Sequence, residues 1–73
     1  MSNELVFERC PETGICSIFH GVAKVDLMPD EVMDIADANG DAEEIRKIIA
    51  ESDFDFAADL SREELGIIGQ TLA

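Results

Sequence analysis

The stretch LVFERCPETGICSIFH, residues 5–20, carries the pattern that indicates a β-sheet in this chain. Apolar and polar residues alternate on both sides of the central PETG, and this period of two is typical of β-strands. Within the centre, Pro11 favours the first position of a turn, and Gly14 favours the left-handed conformation at its exit. The stretch therefore predicts an antiparallel hairpin with a four-residue loop.

A loop of this length determines which residues of the two strands face each other. The predicted opposite pairs are Cys10 with Ile15, Arg9 with Cys16, and Phe7 with Ile18. Because side chains alternate between the two faces of a strand, one face of the hairpin should be apolar and buried. Its members are Leu5, Phe7, Cys16 and Ile18. A second alternation, over residues 22–27, predicts a third strand after a turn at His20-Gly21.

After the predicted strands, the apolar residues recur at the spacing of helices. Pro29 is a favourable first helical residue, and Asn39-Gly40 is typical of a helix end. Asp41 with Glu44 forms a capping box that begins a second helix, and residues 61–64 form another box for a third. The apolar stripes consist of Val32, Ile35 and Ala36, then Ile45, Ile48 and Ile49, then Leu65, Ile68 and Leu72.

Between the last two predicted helices, residues 53–56 alternate aspartate and phenylalanine, which predicts a short extended segment with both phenylalanines on one side. The whole chain, residues 1–73, is predicted to be one small α+β domain. Its β-rich part spans residues 4–27, and its helical part spans residues 29–72. A small antiparallel sheet should pack with one face against about three short helices.

Two glycines, Gly66 and Gly69, interrupt the last predicted helix. Each weakens a helix by roughly 1 kcal/mol relative to alanine. They indicate either close packing against a neighbouring element or a frayed helix end. Because a chain of this length has a small core, a homodimer that buries residues 66–72 is an alternative source of buried surface.

The chain carries 17 acidic residues against five Lys and Arg, for a formal net charge of −12. Fourteen of the acids lie after Val25. The bases in that part of the chain are Arg46, Lys47 and Arg62, which leaves a net charge of −11 there. Such a surface favours cationic partners, either a basic protein face or a divalent metal. It disfavours direct binding to nucleic acid, because no cluster of Lys or Arg is present to replace the counterions of the phosphates.

Helix starts explain many of these acids, since a carboxylate stabilises the positive end of a helix dipole by about 0.3–1 kcal/mol. A smaller group has no such role in the predicted structure. Six members of that group are the predicted partner-binding residues, namely Asp34, Asp37, Glu51, Asp53, Asp55 and Asp59. We expect them to form an outward-facing anionic surface that docks a basic partner, with charge steering the encounter.

Enzyme chemistry has little support in the sequence. His20 is the one histidine, and no serine lies in a nucleophile-elbow motif. No apolar run approaches the roughly 20 residues that span a bilayer, and residues 1–4 lack the pattern of a signal peptide. We therefore expect a non-catalytic interaction or regulatory module in the cytoplasm, with no cofactor and no membrane contact.

Two acidic stretches indicate an alternative function, the binding of a calcium-like divalent metal. Residues 37–41 match the first five positions of an EF-hand loop, but Ala42 and Ile48 replace the glycine and the bidentate glutamate that such a loop requires. Residues 53–64 are a second partial match, in which Ala58 stands at the position of the invariant glycine. Helix capping accounts for several residues of both stretches without a metal.

Cys10, Cys16 and His20 indicate a second alternative, a thiol or soft-metal role. Their spacing supplies three soft ligands within eleven residues, whereas structural zinc needs four and usually has a closer pair of cysteines. The predicted register places Cys16 and His20 on one face of the hairpin and Cys10 on the other. A five-residue loop would instead set Cys10 directly opposite Cys16, within reach of a disulfide.

Overall fold

Three strands and four helices make up residues 4–73, the part of the chain that the computed structural model describes. The strands come first and are β1 (Leu5–Arg9), β2 (Cys16–His20) and β3 (Ala23–Leu27). The helices follow as α1 (Pro29–Asp37), α2 (Ala42–Ser52), α3 (Phe54–Ala58) and α4 (Arg62–Leu72). The predicted α+β class is confirmed. Residues 1–3 of the predicted domain lie outside the described residues.

The three strands form one antiparallel sheet in the order β1-β2-β3. The predicted hairpin register is confirmed, since Phe7 lies opposite Ile18, and the amide of Cys10 donates a 2.9 Å hydrogen bond to the carbonyl of Ile15. The third strand is also confirmed, but the predicted turn at His20-Gly21 is wrong by one residue. His20 pairs with Ala23, so the turn consists of Gly21, which has a φ of 65°, and Val22. A left-handed first residue is what a type II′ hairpin turn requires, and glycine adopts it without steric cost.

One face of the sheet packs against the helical part, and the buried core lies between them. The sheet contributes Cys16, Ile18, Val25 and Leu27. The helical part contributes Ile35, Ile45, Ile48, Ile49, Phe56, Ala57, Leu60, Leu65, Ile68 and Leu72. All three predicted apolar stripes supply members of this core, which confirms the helical spacing of those residues. None of the helices in residues 4–73 has the length and hydropathy needed to cross a membrane.

The predicted extended segment at residues 53–56 is wrong, because the short helix α3 begins at Phe54 and Asp53 is its N-cap. The carboxylate of Asp53 accepts a 3.1 Å hydrogen bond from the amide of Phe56, and this cap starts the helix. Residues two apart on a helix point in different directions, so Phe56 is only 3% exposed whereas Phe54 is 72% exposed. The alternating pattern of these four residues fits the period of a strand, and the cap at Asp53 prevails over it.

The two glycines of α4 have different surroundings. A Cβ at Gly69 would lie 2.8 Å from Cδ1 of Ile45 and 3.6 Å from Cα of Gly40, so α4 packs closely against α2 and the turn before it. Gly66 has open space within 4 Å of the corresponding position. The prediction of close packing is therefore confirmed at Gly69, and the burial of Leu72 shows that the end of the helix is packed rather than frayed.

Candidate functional site

Helices α1 and α2 form an antiparallel pair. In the turn between them, Asn39 and Gly40 have φ values of 54° and 82°, and these left-handed residues reverse the chain within a short connection. At the opposite end of the pair, the hydroxyl of Ser52 donates a hydrogen bond to the carboxylate of Glu31. The two helices are thus joined at both ends, with a groove between them.

This α1–α2 groove has a volume of about 420 Å³. Its lining residues are Asp34, Asp37, Ala38, Glu44, Ile48 and Glu51. Three come from α1 and its end, three come from α2, and within each set the spacing is that of one helix face. The result is an apolar floor, made by the partly buried Ala38 and the buried Ile48, between four carboxylates.

None of the four groove carboxylates takes part in an ion pair within residues 4–73. The ion pairs of that region join His20 to Glu64, Lys24 to Asp26, and Arg62 to Glu43. The guanidinium of Arg46 is used elsewhere, since it donates a 2.7 Å hydrogen bond to the carbonyl of Ala57. Within residues 4–73, no Lys or Arg side chain forms an ion pair with these carboxylates, so their negative charge lies along the groove.

The six predicted partner-binding residues are divided between two places. Three of them meet at the α1–α2 groove, and these are Asp34, Asp37 and Glu51. The other three belong to α3 and its ends, because Asp53 caps this helix, Asp55 lies in its first turn, and Asp59 follows its last residue. The structure thus gives Asp53 a capping role that the sequence analysis did not assign, and it gathers half of the predicted set into one groove.

Glu44 is a groove residue that the sequence analysis assigned to a helix cap. The carboxylate of Asp41 accepts hydrogen bonds of 3.1 and 3.4 Å from the amides of Glu43 and Glu44, as predicted. The predicted return bond is wrong, because the amide of Asp41 donates instead to the carbonyl of Ala38 at 3.0 Å. The Glu44 side chain is left for the groove. Glu44 lies four residues before Ile48 and therefore on the same face of α2, so the sequence spacing could have predicted that the Glu44 side chain lines the groove.

The two stretches considered for calcium are built around helix starts. Asp41 caps α2 and Asp53 caps α3. Ser61 and Glu64 form the predicted capping box of α4, with hydrogen bonds of 3.1 and 2.9 Å. Among the described residues, no three His, Cys, Asp or Glu side chains lie close enough together to hold a metal ion. The side-chain oxygens of Asp41, Asp53, Ser61 and Glu64 instead accept hydrogen bonds from backbone amides at these helix starts.

Cys10, Cys16 and His20 do not come together either. Cys10 is exposed at the hairpin loop, where hydrogen bonds from the Thr13 hydroxyl and from backbone amides of the loop lower the pKa of its thiol. Cys16 lies in the core, and burial raises the pKa of its thiol. Both cysteines are free, because the register sets Arg9 rather than Cys10 opposite Cys16 and the five-residue loop is not adopted.

His20 has a different role, because its ring meets the first turn of α4. Its Nε2 lies 2.5 Å from Oε2 of Glu64, and its ring stands edge-on to Phe56 with the centroids 6.1 Å apart. The amide of Ser61 donates to the other carboxylate oxygen of Glu64 at 2.9 Å. Hydrogen bonds from this amide and from His20 lower the pKa of the Glu64 carboxyl. His20 is therefore a structural link between the sheet and α4.

Comparison with protein-family models, with curated proteins and with solved structures found no match to this chain. The geometry and charge of the α1–α2 groove are therefore the basis for a functional proposal.

Proposed function

We propose that this protein is a small acidic, non-catalytic interaction or regulatory module of the cytoplasm, and that its α1–α2 groove docks a basic segment of a partner protein. The supporting observation is that four carboxylates, which form no ion pair within residues 4–73, line an apolar floor. They belong to Asp34, Asp37, Glu44 and Glu51. A partner segment in which Lys or Arg residues flank a central apolar side chain has the complementary chemistry.

The two parts of the groove would contribute in different ways. Its charged rim, on a chain with a net charge of −12, would speed the encounter with a cationic segment and make binding sensitive to salt. Its apolar floor, made by Ala38 and Ile48, would contribute burial that salt does not screen. A partner that contacts both the charged rim and the apolar floor should therefore keep part of its affinity at high ionic strength. A partner held only by electrostatic contacts should not.

The probe for this proposal is a synthetic helical peptide with lysines on both sides of a leucine stripe, titrated into isotope-labelled protein and followed by amide NMR shifts. Localised and saturable shifts in α1 and α2 are the expected result. Diffuse shifts that vanish in salt would count against a defined docking site. A parallel titration with calcium covers the metal alternative, which would instead give saturable shifts at residues 37–41 or 53–64.

Two variants with equal charge separate the groove from general acidity. The groove variant carries Asp34→Asn, Asp37→Asn, Glu44→Gln and Glu51→Gln. The control variant carries Glu12→Gln, Asp55→Asn, Asp59→Asn and Glu63→Gln. Loss of four contacts worth a few tenths of a kcal/mol each should weaken peptide binding to the groove variant by about tenfold. The control should bind nearly as the wild type does, and equal losses in the two variants would refute the assignment to the groove.

A further inference from the structure

β1 is an edge strand, and its register with β2 shows which of its backbone groups are free. The amide of Cys10 bonds to the carbonyl of Ile15. Bonded and non-bonded pairs alternate along antiparallel strands, so Glu8 and Val6 also exchange backbone hydrogen bonds with β2. The remaining residues of β1 direct their amides and carbonyls away from the sheet, and these are Leu5, Phe7 and Arg9.

Within residues 4–73, none of the four helices makes an extensive contact with this edge. Helices α1, α2 and α3 make their main contacts with the sheet at β3, which is the opposite edge. Leu5 and Phe7 are only partly buried against the core, and Val6 is 47% exposed on the other face of the sheet. β1 thus combines outward-pointing backbone groups with apolar surface, a combination that promotes pairing with another strand.

We propose that β1 pairs antiparallel with β1 of a second copy of this chain, so that Phe7 of one copy lies opposite Phe7 of the other. In this register Leu5 of each copy faces Arg9 of the other, and the outward backbone groups of all three residues find partners. Two three-stranded sheets become one sheet of six strands. The half-buried side chains of Leu5 and Phe7 from both copies come together on the face that already packs against the helices.

The residues of β1 favour this register over its neighbours. A slide of two residues in one direction would set Glu4 of one copy opposite Glu8 of the other. A slide of two residues in the other direction would set Glu8 opposite Glu8. Like charges directly opposite each other destabilise a strand pair. In the proposed register Glu8 lies opposite Val6, so no two glutamates face each other. A slip by a single residue is also excluded, because it would place the side chains of each opposite pair on different faces of the sheet.

The distribution of charge also favours an approach at this edge. Residues 1–25 contribute a net charge of only −1 to the total of −12, so the two copies would meet through their nearly neutral parts. Most of the acidic residues would remain on the helical part of each copy. A strand of five residues is about 17 Å long. The interface is therefore small, and the dimer should be weak and depend on protein concentration.

Hydrogen exchange tests the strand pairing with an internal control. In a monomer the amides of Leu5, Phe7 and Arg9 exchange rapidly, whereas those of Val6 and Glu8 are protected by β2. In the proposed dimer all five are protected, and protection of the first three rises with protein concentration together with the mass measured by sedimentation. The proposal is overturned if the protein stays monomeric at millimolar concentration. This holds even if an unrelated extended peptide protects these amides, because the proposed partner is a second copy of this chain. A dimer in which the three amides stay unprotected also overturns the proposal.

Matched substitutions at Val6 test the register. Val6→Glu places two like-charge pairs in the dimer, and Val6→Lys places two opposite-charge pairs there, because position 6 faces Glu8 of the other copy. We expect dimerisation to weaken by about 2- to 30-fold in the first variant and to strengthen by a similar factor in the second. Adding Glu8→Lys to Val6→Glu should restore the affinity, and failure of this rescue overturns the register.

A control variant separates this local effect from net charge. Glu51→Gln changes the net charge by the same amount as Val6→Lys, but from α2, which packs against β3 at the far edge of the sheet. Glu51→Gln should leave the dimer close to wild type. Equal strengthening by the two substitutions would show that total charge governs association, and it would overturn the proposed pairing.

Discussion

His20 on β2 and Glu64 on α4 are 44 residues apart in the sequence, and Nε2 of the first lies 2.5 Å from Oε2 of the second. The two side chains are 9% and 16% exposed, so little water reaches the contact. A polar contact that is shielded from water is stronger than the same contact on an open surface. The pair therefore joins the sheet to the first turn of α4.

A double-mutant cycle of His20→Ala and Glu64→Ala should give a coupling free energy of about 0.5–3 kcal/mol, because the two residues are in direct contact. Urea unfolding of the four proteins measures it. The ion pair between Lys24 and Asp26 is the control, since these side chains are 50% and 56% exposed. Its coupling should stay below about 1 kcal/mol. A shielded pair that couples no more strongly than this exposed pair would contradict the assigned role.

Acid should remove part of the stability through Glu64. Hydrogen bonds, first from the amide of Ser61 and also from His20, hold the pKa of this carboxyl below its ordinary value of 4.5. A group whose pKa is lowered by folding stabilises the folded state above the ordinary value, and this stabilisation is lost as the pH falls through the folded value. The free energy of unfolding should therefore fall more steeply with acid in the wild type than in Glu64→Gln. Glu63→Gln removes the same charge at the exposed neighbouring position but keeps these hydrogen bonds, so its slope should stay steeper than that of Glu64→Gln.

The two glycines of α4 should respond differently to alanine. Gly66→Ala should stabilise the protein by up to about 1 kcal/mol, because alanine is the better helix former and the site has open space. Gly69→Ala gains the same propensity, but its Cβ would lie 2.8 Å from Cδ1 of the buried Ile45. Overpacking of a core costs about 1–3 kcal/mol, so this variant should be less stable than Gly66→Ala. Equal stabilisation by both changes, measured by urea unfolding, would refute the close contact.

The two phenylalanines of α3 should differ sharply in their effect on stability. Phe56→Ala removes a buried ring and should cost about 3–5 kcal/mol, enough to unfold much of a domain of this size. Phe54→Ala removes a ring that is 72% exposed and should change the free energy of unfolding by less than about 0.5 kcal/mol. Circular dichroism and urea titration measure both. Similar losses in the two variants would favour the extended segment, with both rings on one side, over the helix.

The two thiols should react at different rates with an alkylating reagent. Cys10 is exposed and has a lowered pKa, whereas Cys16 is buried and has a raised pKa. Because the thiolate is the reactive form, native protein should gain one adduct and unfolded protein two, as counted by mass spectrometry. Cys10→Ser should abolish the native adduct. Two adducts forming at one rate in native protein would contradict the burial of Cys16.

Much of the fold could be predicted because the signals are local. The loop between β1 and β2 sets the register that places Phe7 opposite Ile18. Pro29 begins α1, and the caps at Asp41 and Ser61 begin α2 and α4. Each of these signals acts over a few residues of the chain, so the sequence states it directly. At α3 two local signals compete, and the cap at Asp53 prevails over the alternating pattern.

The candidate site could be predicted only in part. Position along a helix shows that Asp34 and Asp37 are exposed, and that Glu51 is exposed on another helix. It does not show that the three meet, because this depends on how α1 and α2 are rotated and paired in space. For the same reason Glu44 was assigned to a cap, although its side chain lines the groove.

Local patterns in the sequence specify the strands, the register of the first hairpin, three of the helix starts and the excess of negative charge in the second part of the chain. These follow from backbone conformation and side-chain periodicity within short segments. Three-dimensional packing settles which carboxylates line the α1–α2 groove, that His20 meets Glu64, and that β1 is an edge strand of the sheet formed by residues 4–73. Those outcomes depend on the packing of elements distant in sequence around one core, and no local pattern of residues specifies that arrangement.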